Sequence, residues 1–329
     1  MSEDLSAPAF DPELRSPLAR FQGEAPPAPA WFTSALAQAP ERSFIEVDGA
    51  KLELLTWGEV GKPGLLLLHG GRAHADWWSF IAPFFAKDYR VAALSWSGMG
   101  RSDWRESYGA DALSREALGA IAAAGLDQGA QKPLVVAHSF GGWVALYLAA
   151  HYGERLKGLV VLDSGVRPPH DPNAPPRDPP RPPRPNRVYA TLTDALAHFR
   201  LAPTQACENP YILDYIARQA LKPAPLADGS AVDGWTWRFD PYLFAKVPHV
   251  FEAQVAAAPS AARCPLALIW GDRSAIMQGR FLDYTLSVAP PGTPKIVMPE
   301  AAHHLFLDQP LGVVASLRSL FAAWPDATS

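Results

Sequence analysis

Cysteine is scarce in this chain: Cys207 and Cys264 are the whole complement among 329 residues. Two thiols cannot supply a disulfide framework, so a reducing compartment is the simpler expectation. An excess charge of one sign is also missing, with 29 Lys and Arg against 33 Asp and Glu. No basic cluster lies outside one proline-rich stretch, which argues against a nucleic-acid partner. No apolar run approaches membrane-spanning length. The acidic start, Met1-Ser-Glu-Asp, lacks the basic-then-apolar order of a signal peptide. A cytoplasmic protein with no membrane partner is therefore expected. The Gly-x-Gly-x-x-Gly phosphate fingerprint is absent, so no cofactor is implied. The histidines show no ligand spacing along the chain, so no metal is implied either. What remains is an ordinary globular composition, 48% hydrophobic and 19% charged, long enough to bury one large core.

Taken in order, residues 1–40 are rich in Ala and Pro without a sustained period. They read as an N-terminal arm anchored by Phe21, Trp31 and Phe32. Residues 43–47 and 52–57 flank Asp48-Gly49 and predict a β-hairpin. Residues 64–69, 90–96, 133–137, 156–163 and 265–270 are apolar runs of the kind buried on both faces of a parallel sheet. Residues 294–298 are the last strand expected. Helical patterns fall at 77–86, 110–125, 143–150, 191–201, 209–221 and 310–321. This alternation predicts an α/β fold with a doubly wound, mostly parallel sheet. Residues 167–187 break it, because proline and arginine dominate there and proline cannot join a sheet ladder. A polyproline-type connector is expected at that point. The expected organisation is an arm (1–40), a core (41–164 and 263–329), and a mainly helical cap (165–262) inserted after the strand ending at Asp163.

The chain is organised around Pro133-Leu-Val-Val-Ala-His-Ser139-Phe-Gly-Gly142, where a buried strand turns into a helix through small residues. A serine at such a corner is a variant of the G-x-S-x-G elbow, with Ala137 in place of the first glycine. The corner presents Oγ to solvent. The helix that starts there aims unpaired N–H groups, Phe140 first, at the place where an oxyanion would form. His69-Gly-Gly71-Arg72 follows a strand and can bring a second amide, of Gly71 or of Arg72. His303 and His304 lie after the final strand and before Pro310, where a general base could reach Ser139. A carboxylate must orient that base. Asp163 and Asp272 both stand at strand ends and both keep the chain order Ser, Asp, His.

Together these residues resemble the α/β-hydrolase superfamily, over about residues 43–322. His69-Gly70, Ser97-Gly-Met-Gly-Arg-Ser102, the elbow and the histidine loop occur in the family's order. The family places its histidine seven residues before the proline of an acidic-x-Pro tail, which selects His303 over His304. Its common acid position, three residues past Gly271, is Ser274 here. Some members, haloalkane dehalogenases among them, carry the acid at the strand end that Asp163 occupies, so the resemblance favours Asp163, with Asp272 the alternative. It implies a serine hydrolase that cleaves a small carboxylic ester or lactone through an acyl-enzyme on Ser139. The alternatives are a carbon–carbon bond hydrolase of the meta-cleavage-product type and a non-catalytic hydrolase-fold binding protein. A serine nucleophile argues against epoxide hydrolase chemistry, whose alkyl-enzyme needs a carboxylate.

The cap should act as a lid that sets the substrate. Trp235 and Trp237, with Trp78 from the core, suggest an apolar pocket, and Arg72 and His74 offer polar contacts beside the oxyanion loop.

Overall fold

Apolar runs with no polar face can only be accommodated by covering both sides. In the computed structural model, which describes residues 12–169, 182–226 and 233–324, those runs become fully buried strands. The strands of the first half are β1 (Glu41–Val47), β2 (Ala50–Trp57), β3 (Gly64–Leu68), β4 (Arg90–Leu94) and β5 (Leu134–His138). Those of the second half are β6 (Gly158–Leu162), β7 (Leu221–Pro225), β8 (Asp233–Trp237), β9 (Leu266–Gly271) and β10 (Lys295–Met298). Eight of them form one sheet in the order β1-β2-β4-β3-β5-β6-β9-β10. β1 and β2 pair antiparallel across Asp48-Gly49, which has φ of 49° and 73°, the left-handed values a tight hairpin turn needs. β2 runs antiparallel to β4, and every later neighbour in this sheet is parallel.

Ten α-helices accompany them among the described residues: α1 (Pro12–Arg15), α2 (Ala30–Leu36), α3 (Ala110–Ala123), α4 (Phe140–Tyr152) and α5 (Leu192–Ala197) are the first five. The others are α6 (Pro210–Gln219), α7 (Val250–Ala256), α8 (Gly279–Val288), α9 (Leu305–Asp308) and α10 (Pro310–Ala323). None is long and apolar enough to cross a membrane.

The chain divides into two compact units. The larger comprises residues 28–186 and 238–329, and holds the sheet with its core of Leu66, Leu68, Val135, Ala137, Leu159 and Val161. It is an α/β fold with a mostly parallel central sheet. The helix expected over 77–86 is instead two 3₁₀ turns, Ala75–Trp78 and Ala82–Phe84. Trp78, Phe80 and Ile81 are all fully buried, so no face is left for water, and Pro83 removes a donor an α-helix would need. Helix α8 lies where no helix was expected. Most of its side chains are partly exposed, and Thr285 is its one buried residue.

The smaller unit joins residues up to Pro27 with Arg187–Trp237. Its helices α5 and α6 are shorter than their sequence patterns. Thr191 caps α5 by accepting from the Asp194 amide at 3.1 Å. The aromatic patch at 234–237 is strand β8, antiparallel to β7, with Tyr189 bridged to Trp235. Its Gly-Trp-Thr-Trp alternation is a two-residue period, which suits a strand better than a loop. Residues 1–11 of the expected arm and 170–181 of the expected polyproline connector lie outside the described residues.

Candidate active site

Register places the site. Leu68 pairs with Ala137, His138 with Leu162, and Leu162 with Ile269, so β3, β5, β6 and β9 end at one level. His69, Ser139 and Asp163, just beyond their strands, and Gly271, the last residue of β9, therefore stand along the carboxyl edge of the sheet, where open α/β sheets gather their ligands. Ser139 turns the chain from β5 into α4 with φ 51° and ψ −120°. A non-glycine residue held there stores strain, of order 1–3 kcal/mol, that surrounding contacts must maintain. Tight packing maintains it: a Cβ on Gly141 would lie 2.5 Å from the His69 carbonyl oxygen, so only glycine fits two residues after the serine.

His303 reaches the serine from the loop after β10. Its Nε2 lies 2.9 Å from Ser139 Oγ and its Nδ1 2.8 Å from Asp163 Oδ1. Asp163 is fully buried at φ 44°, and three donors converge on it: the His303 imidazole, the Ser274 hydroxyl at 2.7 Å and the Gly271 amide at 2.9 Å. Asp272 has another partner. Its carboxylate accepts from the Ala301 amide at 3.1 Å, which shapes the histidine loop from below, while Asp308 accepts from the Ala302 amide at 2.8 Å. His138 closes the same loop by donating from Nε2 to the His303 carbonyl at 3.0 Å. Burial, and then the proximity of His303, hold His138 well below the usual histidine range, so it is a neutral strut. Burial likewise pushes His69 down to about 3. It donates from Nδ1 to Gly70 and accepts the Trp96 amide at Nε2, tying β3 to β4.

On the other side of the serine, a Cβ on Gly70 would lie 3.1 Å from Ser139 Cβ, so the loop after β3 runs directly past Ser139. Phe140 opens α4, and its amide belongs to the first turn, where N–H groups have no partner within the helix. The Arg72 amide, at φ 62°, donates to Met99 Sδ at 3.0 Å and is thus occupied. The Arg72 guanidinium sits over the Phe239 and Phe244 rings, 5.6 and 5.3 Å from their centroids. Phe244 packs on Gly71 so closely that a Cβ there would meet its ring at 2.6 Å, and it meets Phe140 edge-on. These rings are held by fully buried Asp240, which accepts from Tyr108 Oη, Lys246 Nζ and the Tyr242 amide.

Two expected pocket residues sit elsewhere. Trp78 has no exposed surface and stacks on Phe306 with ring centroids 4.9 Å apart; it belongs to the core rather than to a pocket wall. His74 is buried against Asp76, with Nδ1 3.7 Å from Oδ2. Trp235 and Trp237 lie on β8 of the smaller unit, where Trp237 packs with Tyr189 and Phe199. Sequence reasoning did not single out Phe244, nor the part His138 plays. Ser274 was noticed only as an absent acid. The chain spacing of the histidines gave no metal signal, yet the fold brings His138, His303 and His304 together with ligand atoms within 4.8 Å of one another. Both ring nitrogens of His303 are already bonded to Ser139 and Asp163, so an ion there would displace those bonds.

Comparison with known proteins agrees with this architecture. Residues 65–317 match the model of the alpha/beta hydrolase family. "Epoxide hydrolase 4" of Mus musculus is 32% identical over 122 residues, 36% of this chain and 33% of that protein. Lipase LipV of Mycobacterium tuberculosis is 35% identical over 115 residues, 35% of this chain and 42% of the lipase. The matched segment thus spans well under half of either relative. Among solved structures, a thioesterase domain from the curacin biosynthetic pathway superposes with a TM-score of 0.67 at 20% identity, covering 87% of this chain and all of that domain (100%). An esterase from Mycobacterium tuberculosis does so at 0.61 and 19%, covering 97% of this chain and 100% of its own. At such identities the structural likeness speaks for the fold alone. A family match over residues 65–317, on a mostly parallel sheet with a strained serine corner after β5, makes this chain a member of the alpha/beta hydrolase family.

Proposed function

We propose that this hydrolase cleaves a small carboxylic ester or lactone through an acyl-enzyme on Ser139. The observation that carries the proposal is the continuous line from Ser139 Oγ to His303 Nε2 (2.9 Å) and from His303 Nδ1 to Asp163 Oδ1 (2.8 Å). A carboxylate facing Nδ1 keeps the proton on that nitrogen, so Nε2 is the base and accepts the serine proton. Oγ then bonds to the ester carbonyl carbon, and the carbonyl oxygen takes the negative charge. The amides of Phe140 and Gly71 are the donors we assign to it, each worth about 10²–10³ in rate. His303 passes its proton to the leaving alkoxide as the carbon–oxygen bond breaks. Water repeats the sequence on the acyl-enzyme and releases the acid. Opening an epoxide through an alkyl-enzyme would need a carboxylate nucleophile, and position 139 carries a hydroxyl. The lid role belongs to the same proposal, through residues 239–251 of the larger unit. There Phe251 stacks on Phe140, and Phe244 covers Gly71. So does a reducing, cytoplasmic setting, which a complement of two cysteines favours.

The test is hydrolysis of a chain-length series of p-nitrophenyl esters by the wild type and by Ser139→Ala, with mass spectrometry of the quenched enzyme. Turnover that disappears in Ser139→Ala, with an acyl adduct on Ser139, is expected. Equal rates for the two proteins on every ester would overturn the proposal and bring carbon–carbon hydrolysis or ligand binding forward.

A further inference from the structure

Ser274 stands three residues beyond Gly271, where the family commonly carries its acid. A serine cannot do that work, and the structure gives it different work. Its hydroxyl is buried, with the residue 5% exposed, and it accepts the amides of Ile276 at 3.1 Å and Met277 at 2.9 Å. Two amide donors take up the acceptor capacity of Oγ, so its own proton has one destination, Asp163 Oδ1 at 2.7 Å. That same oxygen takes the His303 Nδ1 proton, while the Gly271 amide holds Oδ2. The carboxylate extends from the end of β6, yet two donors from the end of β9 set its orientation.

We infer that Ser274 is a positioning residue for the reaction proposed above, acting through Asp163. It aims Oδ1 at the imidazole and spreads the charge of the carboxylate. A neutral donor to a carboxylate favours its ionised form and weakens its pull on a neighbouring proton. Without the hydroxyl, Asp163 turns more freely and binds the imidazole proton more tightly. This inference rests on the serine-hydrolase reading, so its test needs a readout that does not depend on ester turnover.

The experiment compares wild type, Ser274→Ala and Ser274→Thr, each also in an Asp163→Asn background. Three quantities are read: kcat and kcat/KM against pH on the best ester, the rate of Ser139 labelling by a fluorophosphonate, and the low-field NMR resonance of the His303 Nδ1 proton. Hydrogen bonds to charged groups contribute enough for Ser274→Ala to lower kcat about tenfold with KM little changed. The acid limb of kcat/KM should move to higher pH, and Ser274→Thr should restore both. In the Asp163→Asn background, removing the hydroxyl should change nothing further. If Ser274→Ala does not fold, Ser274→Cys, a similar shape with a weak donor, should show a smaller change in the same direction. Wild-type pH profile, labelling rate and resonance in Ser274→Ala would overturn the inference, as would an undiminished loss in the Asp163→Asn background. A wild type that neither hydrolyses esters nor labels at Ser139 defeats the serine-hydrolase reading instead. The resonance then still decides: displaced in Ser274→Ala, it supports the positioning role, and unmoved, it refutes it.

Discussion

Replacing Asp163 by asparagine tests the proposed mechanism where the geometry is most demanding. The side chain keeps its shape, and the site is fully buried, so water cannot repair what the substitution removes. Three donors face the carboxylate, from His303, Ser274 and Gly271, and an amide offers them one acceptor oxygen and one NH₂ group. If the NH₂ group faces His303, the imidazole must present a lone pair at Nδ1 and carry its proton on Nε2, where it can no longer accept from Ser139. If the NH₂ group faces the Gly271 amide, two donors confront each other in a dry site, at a cost of about 1–3 kcal/mol. The charge that stabilises the imidazolium is then still absent. The first arrangement also turns the NH₂ group on the Ser274 hydroxyl, so each arrangement carries one such clash, and a wrong tautomer of the first kind lowers kcat by about 10⁴, or about 5.5 kcal/mol. Asp272→Asn keeps an acceptor oxygen for the Ala301 amide and should stay within about tenfold of wild type. The assay is kcat on the best p-nitrophenyl ester, with circular dichroism to confirm folding. Asp163→Asn within a few-fold of wild type, beside an Asp272→Asn reduced by orders of magnitude, would refute the reasoning.

Three further outcomes are expected. Gly141→Ala forces a Cβ to within 2.5 Å of the His69 carbonyl and 3.1 Å of that of Leu68, both rigid backbone, and should cost about 1–3 kcal/mol, read as a Tm lower by several degrees. Gly71→Ala meets only the Phe244 ring at 2.6 Å, so it should lower kcat about ten- to a hundredfold by shifting the oxyanion loop. Adding Phe244→Ala should recover most of that loss, and a double variant no faster than Gly71→Ala would show that the ring is not the obstacle. Stability should also fall on acidification. His69 and His138 are held below the ordinary histidine value by burial, so the unfolded chain takes up protons that the fold refuses. Their contribution is complete above about pH 6.5 and declines below it, by up to about 1.4 kcal/mol per pH unit for each group, until the folded-state value is reached near 3 for His69. Denaturant titrations between pH 7 and 5 should show this slope, and His138→Gln should reduce it.

Strands were the most legible part of the chain. A run such as Leu65 to Leu68 has no polar face, and burial on both sides is the one environment that accepts it. Elements with weak burial or mixed period were harder to see. Helix α8 is largely half-exposed, the stretch from Ala75 to Pro83 is buried on every side, and β8 shows its period over a few residues only. The helix expected over 77–86 is absent for that reason, because Trp78, Phe80 and Ile81 leave no face for water.

At the site, spacing along the chain was enough to single out Ser139 and the His303 loop, because a strand-to-helix corner and a histidine ahead of Pro310 are local patterns. The choice between Asp163 and Asp272 was not local. Both carboxylates follow strands, and their bonding depends on how β6, β9 and β10 lie against one another. The parallel register of β6 and β9 sets the Gly271 amide and Ser274 hydroxyl on Asp163, and the turn after β10 sets Ala301 on Asp272. Phe244 came to Gly71 across more than 170 positions, through a clamp at Asp240 that has no signature of its own. Sequence alone determined which stretches must be buried and which residue types could carry the chemistry, because hydrophobic period and corner geometry are written within a few residues. Tertiary structure decided which carboxylate meets the imidazole and what covers the Gly70-Gly71 loop, because a contact is made in space between atoms whose separation along the chain carries no information about it.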